Sequence, residues 1–232
     1  MSQNENNVPM RPAQFTRHRL LVRILNGTYP SGTSLPNERA LAEELGVTRP
    51  TLRENLQRFA AEGWITIHQG KSTIVSDYWR KGGLSILGTL AQYGEYLPED
   101  FIVDLLELRR VLMPAVARAA AGRAPQVLLK FLERFPDIPC EPEPTAQYDW
   151  DLQEVMAQES GNRIYPLILN DFVTLFKTLA PLYFTMPETM KASREYYAQL
   201  REALPRGPEA VEKVVYRTMV ESIEFWNRLQ PR

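Results

Sequence analysis

The sequence predicts a mainly α protein in two parts, an N-terminal winged helix-turn-helix with a small β wing and an all-α helical bundle after it. Three observations carry this. Two short capped helical segments, Asn37–Leu45 and Thr48–Glu62, are separated by Gly46. A β-prone run then breaks the helical period at Gly63 and turns at Gln69-Gly70-Lys71. From Leu84 onward, apolar residues recur at helical spacing with no strand alternation.

A first helix is expected from Gln14 to Leu25, with Leu21 and Leu25 four apart and Gly27 beyond the end. Tyr29-Pro30-Ser31-Gly32 reads as a turn. Asn37 is a favourable N-cap, and Glu38 in the first turn complements the helix dipole while Leu41 and Leu45 face inward. Thr48 caps the third helix, Pro50 sits where a missing N–H costs little, and Leu52, Leu56 and Phe59 form its apolar stripe. Trp64–Ile67 and Ser72–Val75 are the expected wing strands. Ser76–Gly83 reads as a linker carrying the aromatic pair Tyr78-Trp79.

Helical segments are then expected at about 84–93, 98–121, 125–135, 146–160, 163–184, 187–203 and 208–229. Pro136, Pro139, Pro142 and Pro144 are expected to break the chain between two of them. The domain boundaries expected from this reading are 1–75 for the winged helix, 76–90 for a linker and 91–232 for the helical domain.

The net charge of −1 hides an asymmetry. Residues 1–80 hold ten Lys or Arg against seven Asp or Glu, a net of +3; the remainder holds 17 against 21, a net of −4. No apolar run approaches the roughly 18 residues of a bilayer span. The polar stretch Met1–Pro12 lacks the apolar core of a secretory signal, and the one cysteine, Cys140, has no partner for an internal disulfide. The expectation is a cytoplasmic protein that does not enter a membrane.

A helix entering the major groove offers bases the side chains of its first turns. Here these are Thr48, Arg49, Thr51 and Arg53. Arginine binds guanine O6 and N7 bidentately, and threonine hydroxyls and helix N-terminal N–H groups suit phosphate oxygens. Arg39, early in the second helix, is placed to reach backbone or base. The wing tip Gln69-Gly70-Lys71 suits the adjacent minor groove. Any one of these arginines alone would read as a solvated helix residue, and Glu54 with Arg58 as an ordinary i, i+4 pair. Their joint placement on a capped helix before a wing points to double-stranded DNA.

Catalysis finds no support. Both histidines, His18 and His68, lie in the N-terminal part, so a Ser-His-Asp arrangement in the helical domain has no base, and neither G-x-S-x-G nor a phosphate loop occurs. The remaining alternative to a ligand-responsive DNA-binding protein is an architectural one whose helical domain is merely structural.

The N-terminal residues resemble the GntR family of bacterial transcription regulators. The resemblance is carried by Tyr29-Pro30-x-Gly32, Leu35-Pro36-x-Glu38-Arg39, Leu41-Ala42, Gly46-Val47-Thr48-Arg49-x-Thr51-Leu52-Arg53-Glu54 and Gly70-Lys71. The C-terminal part is similar to the fatty-acid-responsive FadR branch. Its marks are Leu84-Ser85-Ile86-Leu87-x-Thr89-Leu90-Ala91, Leu105-Leu106-x-Leu108-Arg109, Ser160-Gly161-Asn162-x-Ile164-Tyr165, Tyr183-Phe184 and Glu221-Ser222-x-x-x-Trp226.

The resemblance implies a homodimer on a short palindromic operator, released when an acyl-CoA thioester enters the helical domain. It implies DNA contacts at Arg39, Thr48, Arg49, Thr51, Arg53, Gln69 and Gly70, beside the Lys71 of the wing tip. The wing departs from the family order, Gln-His-Gly becoming His68-Gln69-Gly70. It implies effector contacts at Leu106, Arg109, Tyr183, Ser222 and Trp226. Met219 stands where the family has a glycine that lets the ligand approach the backbone. The wider subfamily holds a metal on an Asp and three His. Asp149 fills the Asp position, but Gln153 takes the next, and no histidine remains to complete the site. No metal or resident cofactor is therefore expected, and Asp149, Asp151 and Glu154 read as a solvated helix start.

Overall fold

A computed structural model describes residues 12–229. The polar N-terminal stretch up to Arg11, which is expected to carry no secretory signal, lies outside the described residues. The chain divides into two compact units, Met1–Ile86 and Leu87–Arg232.

In the first unit, α1 (Pro12–Leu25), α2 (Glu38–Leu45) and α3 (Arg49–Glu62) precede β1 (Ile65–Thr66) and β2 (Ile74–Val75). The Asn37 side chain accepts from the Ala40 N–H, and Thr48 caps α3 through the Thr51 N–H. Gly46 and Gly63 end the two helices in the left-handed region, at φ 69° and 92°. Gly63 has a second requirement, since a Cβ there would stand 3.1 Å from the Gly82 Cα. Leu20, Leu21, Leu45, Leu52, Phe59 and Trp64 are fully buried and fix the angle between the helices. Arg17 clasps Glu62 through two 2.9 Å hydrogen bonds, and the Trp64 indole N–H donates to the same carboxylate at 3.0 Å.

The wing strands are shorter than expected, pairing only Ile65 with Val75 and Thr66 with Ile74. Their edge is completed by the segment Thr33–Leu35, which carries no strand signal of its own. The Leu35 N–H donates to Thr73 O at 2.8 Å, and the Val75 N–H to Thr33 O at 2.9 Å. The pairing is non-local and only a few residues long, so it leaves no period-2 pattern. The stretch after the wing contains α4 (Tyr78–Lys81), whose Tyr78 ring packs 4.9 Å from Trp64.

The second unit is helical. After α5 (Ser85–Leu90) and a 3₁₀ turn come α6 (Phe101–Arg123), α7 (Pro125–Leu132), α8 (Pro142–Glu159), α9 (Ile164–Tyr183), α10 (Pro187–Ala203) and α11 (Pro208–Leu229). α6 packs most extensively against α11, and α8 against α9. Ala117, Ala120, Leu128, Leu152, Leu200, Val211 and Val215 form the fully buried centre. The small alanines on α6 let its backbone approach its neighbours closely.

Two expectations are corrected. Pro142 and Pro144 begin α8 and do not precede it; first-turn residues have no intrahelical N–H bond to lose, so prolines are tolerated there. Asp149 consequently lies in the middle of α8, its side chain 13% exposed, and is no solvated helix start.

Candidate nucleic-acid interface and ligand cavity

The first unit presents its basic side chains on exposed surface. Arg39, Thr48, Arg49 and Arg53 are all exposed, and Thr51 is half-buried beside its cap. The Thr48 and Thr51 hydroxyls lie 2.9 Å apart, so one hydrogen bond ties the first turn of α3 together. Arg53 is not a free group: its Nε donates to Glu38 Oε2 at 2.7 Å, and Arg49 Nη2 approaches the same oxygen at 3.8 Å. Glu38 thus gathers Arg49 and Arg53, the two arginines in the N-terminal turns of the reading helix. Arg39 forms no ion pair among the described residues. Glu54 and Arg58 form the expected pair at 2.6 Å.

At the wing tip, the Lys71 N–H closes a turn on His68 O at 3.4 Å, with Gly70 at φ 67°. A positive φ at the third position of such a turn suits glycine. Gln69, Gly70 and Lys71 project from it, exposed, as does His68.

The second unit carries a partly open cavity of about 140 Å³ lined by α6, α8, α9, α10 and α11. Leu106, Arg109, Tyr183, Met219, Ser222 and Trp226 all line it. They come from three helices and more than a hundred residues of sequence. Most of the remaining wall is apolar, including Phe172, Leu175 and Phe176 on α9.

A polar island sits in this wall. Arg109 Nη2 lies 3.7 Å from Asp149 Oδ2, with its guanidinium carbon 5.8 Å from the centre of the Phe176 ring. Gln153 Nε2 donates to Asp149 Oδ2 at 2.8 Å, and the Tyr197 hydroxyl to Asp149 Oδ1 at 3.2 Å. Burial raises the Asp149 carboxyl above the ordinary carboxylate range, against the opposing pull of Arg109, Tyr197 and Gln153. Burial likewise raises the Tyr183 phenol. The Ser222 hydroxyl donates to Met219 O at 2.7 Å, which leaves only its lone pairs for another group.

Two donors in this wall are buried without a partner, Arg109 Nε and Trp226 Nε1. An unsatisfied buried N–H carries a desolvation penalty of about 1–3 kcal/mol. Both N–H groups belong to residues that line a cavity, where an acceptor on a ligand would relieve that penalty.

In the sequence, Asp149 and Gln153 stand out only as positions of a metal site that lacks its histidines. Gln153 instead supplies an amide N–H to the carboxylate, and no group of three or more His, Cys, Asp or Glu suited to a metal occurs among the described residues. Their i, i+4 spacing on one helix is the available signal, but nothing local in the sequence shows Arg109 arriving from α6 or Tyr197 from α10.

A winged helix joined to a helical unit with an internal polar-and-apolar cavity defines a class of two-part regulators, and similarity to known proteins fixes the family. Residues 12–75 match the model of the bacterial regulatory proteins of the gntR family, and residues 76–232 that of the FadR C-terminal domain. The chain belongs to this family: it is a DNA-binding transcriptional regulator and not an enzyme. A Klebsiella pneumoniae relative named fatty acid metabolism regulator protein is 36% identical over 94% of this chain and 92% of its own. A Shewanella amazonensis protein of the same name is 35% identical with the same coverage. The solved structure described as "Lar controls the expression of the Listeria monocytogenes agr system and mediates virulence" has a TM-score of 0.61 at 20% identity, covering 94% of this chain and 97% of that one. That likeness speaks for the fold alone. No single helix among the described residues is long and apolar enough to cross a membrane.

Proposed function

We propose that this chain is a cytoplasmic, homodimeric regulator of fatty-acid metabolism. In this reading two copies address a short palindromic operator, and a long-chain acyl-CoA bound in the helical unit releases it. The observation that carries the effector half is the pair of buried, unpartnered donors, Arg109 Nε and Trp226 Nε1, on residues lining an otherwise largely apolar cavity. An acyl thioester brings both parts such a wall needs, a carbonyl to accept from the N–H groups and a chain to lie against Leu106 and its apolar neighbours. The names of the curated relatives support the metabolic assignment. In the reading unit, Arg39, Thr48, Arg49, Thr51 and Arg53 address the operator from α2 and α3, and Gln69, Gly70 and Lys71 from the wing.

The cavity's size adds a mechanical consequence. Pockets for drug-sized ligands measure roughly 300–1,000 Å³, above the 140 Å³ present here. In this reading a long acyl chain seated there parts the helices that line the site. Ligand affinity is then linked to helix position, and that displacement is what the 76–90 stretch would pass to the DNA-binding unit. A coupling of about 1–3 kcal/mol between the sites suffices for regulation.

Met219 supports a second reading, an effector other than acyl-CoA. Its side chain is buried in the cavity wall, 6% exposed, and Ser222 bonds its carbonyl, so the backbone at this turn of α11 is covered. A thermal-shift screen against CoA, short- and long-chain acyl-CoAs and free fatty acids separates the two. Ligand at a hundred times its Kd stabilises the native state by about 2.7 kcal/mol. A shift with long-chain acyl-CoA alone is expected; a shift with some other ligand class and none with any acyl-CoA would favour the second reading.

A further inference from the structure

Glu38 is the first residue of α2, and its Oε2 receives two arginines from the N-terminal turns of the reading helix, Arg53 Nε at 2.7 Å and Arg49 Nη2 at 3.8 Å. The two arginines are four residues apart and so share a face of α3. All three side chains are substantially solvated, at 38%, 60% and 57% exposure. Ion pairs so exposed add little to folding stability. An acid in the first turn of α2 complements the helix dipole, but that role requires no arginine partner on another helix.

We propose that Glu38 is a specificity-determining positioning residue of the reading face. This rests on the assignment of Arg49 and Arg53 as base-reading groups. Two effects follow from its position. First, arginine carries large rotamer entropy, and a carboxylate that gathers both guanidinium groups narrows what must be lost when they meet base edges. Second, a negative charge between the two arginines lowers the attraction of this face for phosphate. Sequence-independent binding is driven by neutralisation of phosphates and release of counterions, so Glu38 weakens it selectively. Bidentate guanine contacts depend on geometry as well as charge and are retained. Glu38 therefore widens the gap between operator and random DNA, even though it lowers the positive charge of the interface.

The test uses the full-length protein and a duplex that the wild type enriches from a randomised pool, with a scrambled duplex of equal length. Affinities for both are measured across a salt series for wild type, Glu38→Gln and Glu38→Asp. Glu38→Gln removes the charge, so its affinity for scrambled DNA rises and the salt slope steepens by about 1 per subunit. Its preference for the selected duplex falls at least tenfold. Glu38→Asp keeps the charge but is one methylene too short to hold both arginines. Its salt slope stays near the wild-type value while its preference also falls. Unchanged preference in both variants overturns the proposal. So does an equal loss of affinity for both duplexes, the mark of a merely structural acid. A wild-type protein that enriches no sequence from the pool fails earlier, overturning the DNA-reading assignment on which the role of Glu38 rests.

Discussion

The two units place their functional groups in opposite environments. In the reading unit Arg39, Arg49, Arg53 and Lys71 stand on the surface, held by helix caps and turns. In the helical unit Arg109, Asp149, Tyr183, Ser222 and Trp226 line an internal cavity and are held by tertiary packing. Exposed groups meet a partner with no change in the core that carries them. Groups on packed helices meet a ligand within the core, and a ligand larger than the cavity there would displace the helices that carry them. One unit is thus suited to recognition and the other to response.

The largest effect should come from removing the platform under the exposed groups. Phe59→Ala empties a fully buried site that packs near Trp64, and loss of such a ring costs about 3–5 kcal/mol. A chemical-denaturation curve should show this, with DNA binding lost only as the fold is lost. Arg49→Ala is the converse. Melting should stay within a degree or two of wild type, while preference for operator over scrambled duplex falls by about 1–3 kcal/mol for each bidentate pairing with a base that the arginine makes. Retained preference in a mobility shift would remove Arg49 from the reading set.

In the cavity, Arg109→Ala and Trp226→Phe should leave DNA affinity without ligand unchanged and reduce the acyl-CoA-induced thermal shift. Trp226→Phe deletes one N–H from the wall and so isolates the hydrogen bond from the ring. A thermal shift equal to wild type in both variants would place the ligand elsewhere.

The smallest expected effect is a pH dependence. Burial raises the folded-state pKa of Asp149 above its unfolded value. For a carboxyl shifted in that direction, the stabilising contribution is full below the unfolded pKa and is lost as pH rises through the folded pKa. Asp149→Asn cannot ionise, so its melting temperature relative to wild type should climb with pH from about 4 upward. A difference that stays flat or falls over that interval would mean that Arg109, Tyr197 and Gln153 fully offset the burial.

What is legible in the sequence follows the same division. Caps, turns and helix stops are local, and Asn37, Thr48, Gly46 and Gly63 act as those residue types do in general. The reading head is therefore visible nearly residue by residue, apart from the Glu38 contact and the Thr33–Leu35 edge of the wing, both of which bridge separate segments. The long helices are visible in their apolar spacing. Asp149 is misplaced by sequence reasoning because four prolines conceal the start of α8, where Pro142 occupies the first turn. The six effector positions are reached only through family resemblance, since helical spacing does not distinguish a cavity wall from a filled core. That Arg109 meets Asp149, or that Trp226 Nε1 lacks a partner, depends on five helices closing around one point.

If the cavity governs the reading head, ligand bound there changes the affinity for DNA, and one titration decides it. Affinity for the wild-type-selected duplex is measured by fluorescence anisotropy at fixed salt, with and without saturating long-chain acyl-CoA. A roughly five- to 150-fold weakening with ligand is expected, the range of a coupling of about 1–3 kcal/mol. Tight acyl-CoA binding with no change in DNA affinity would contradict it.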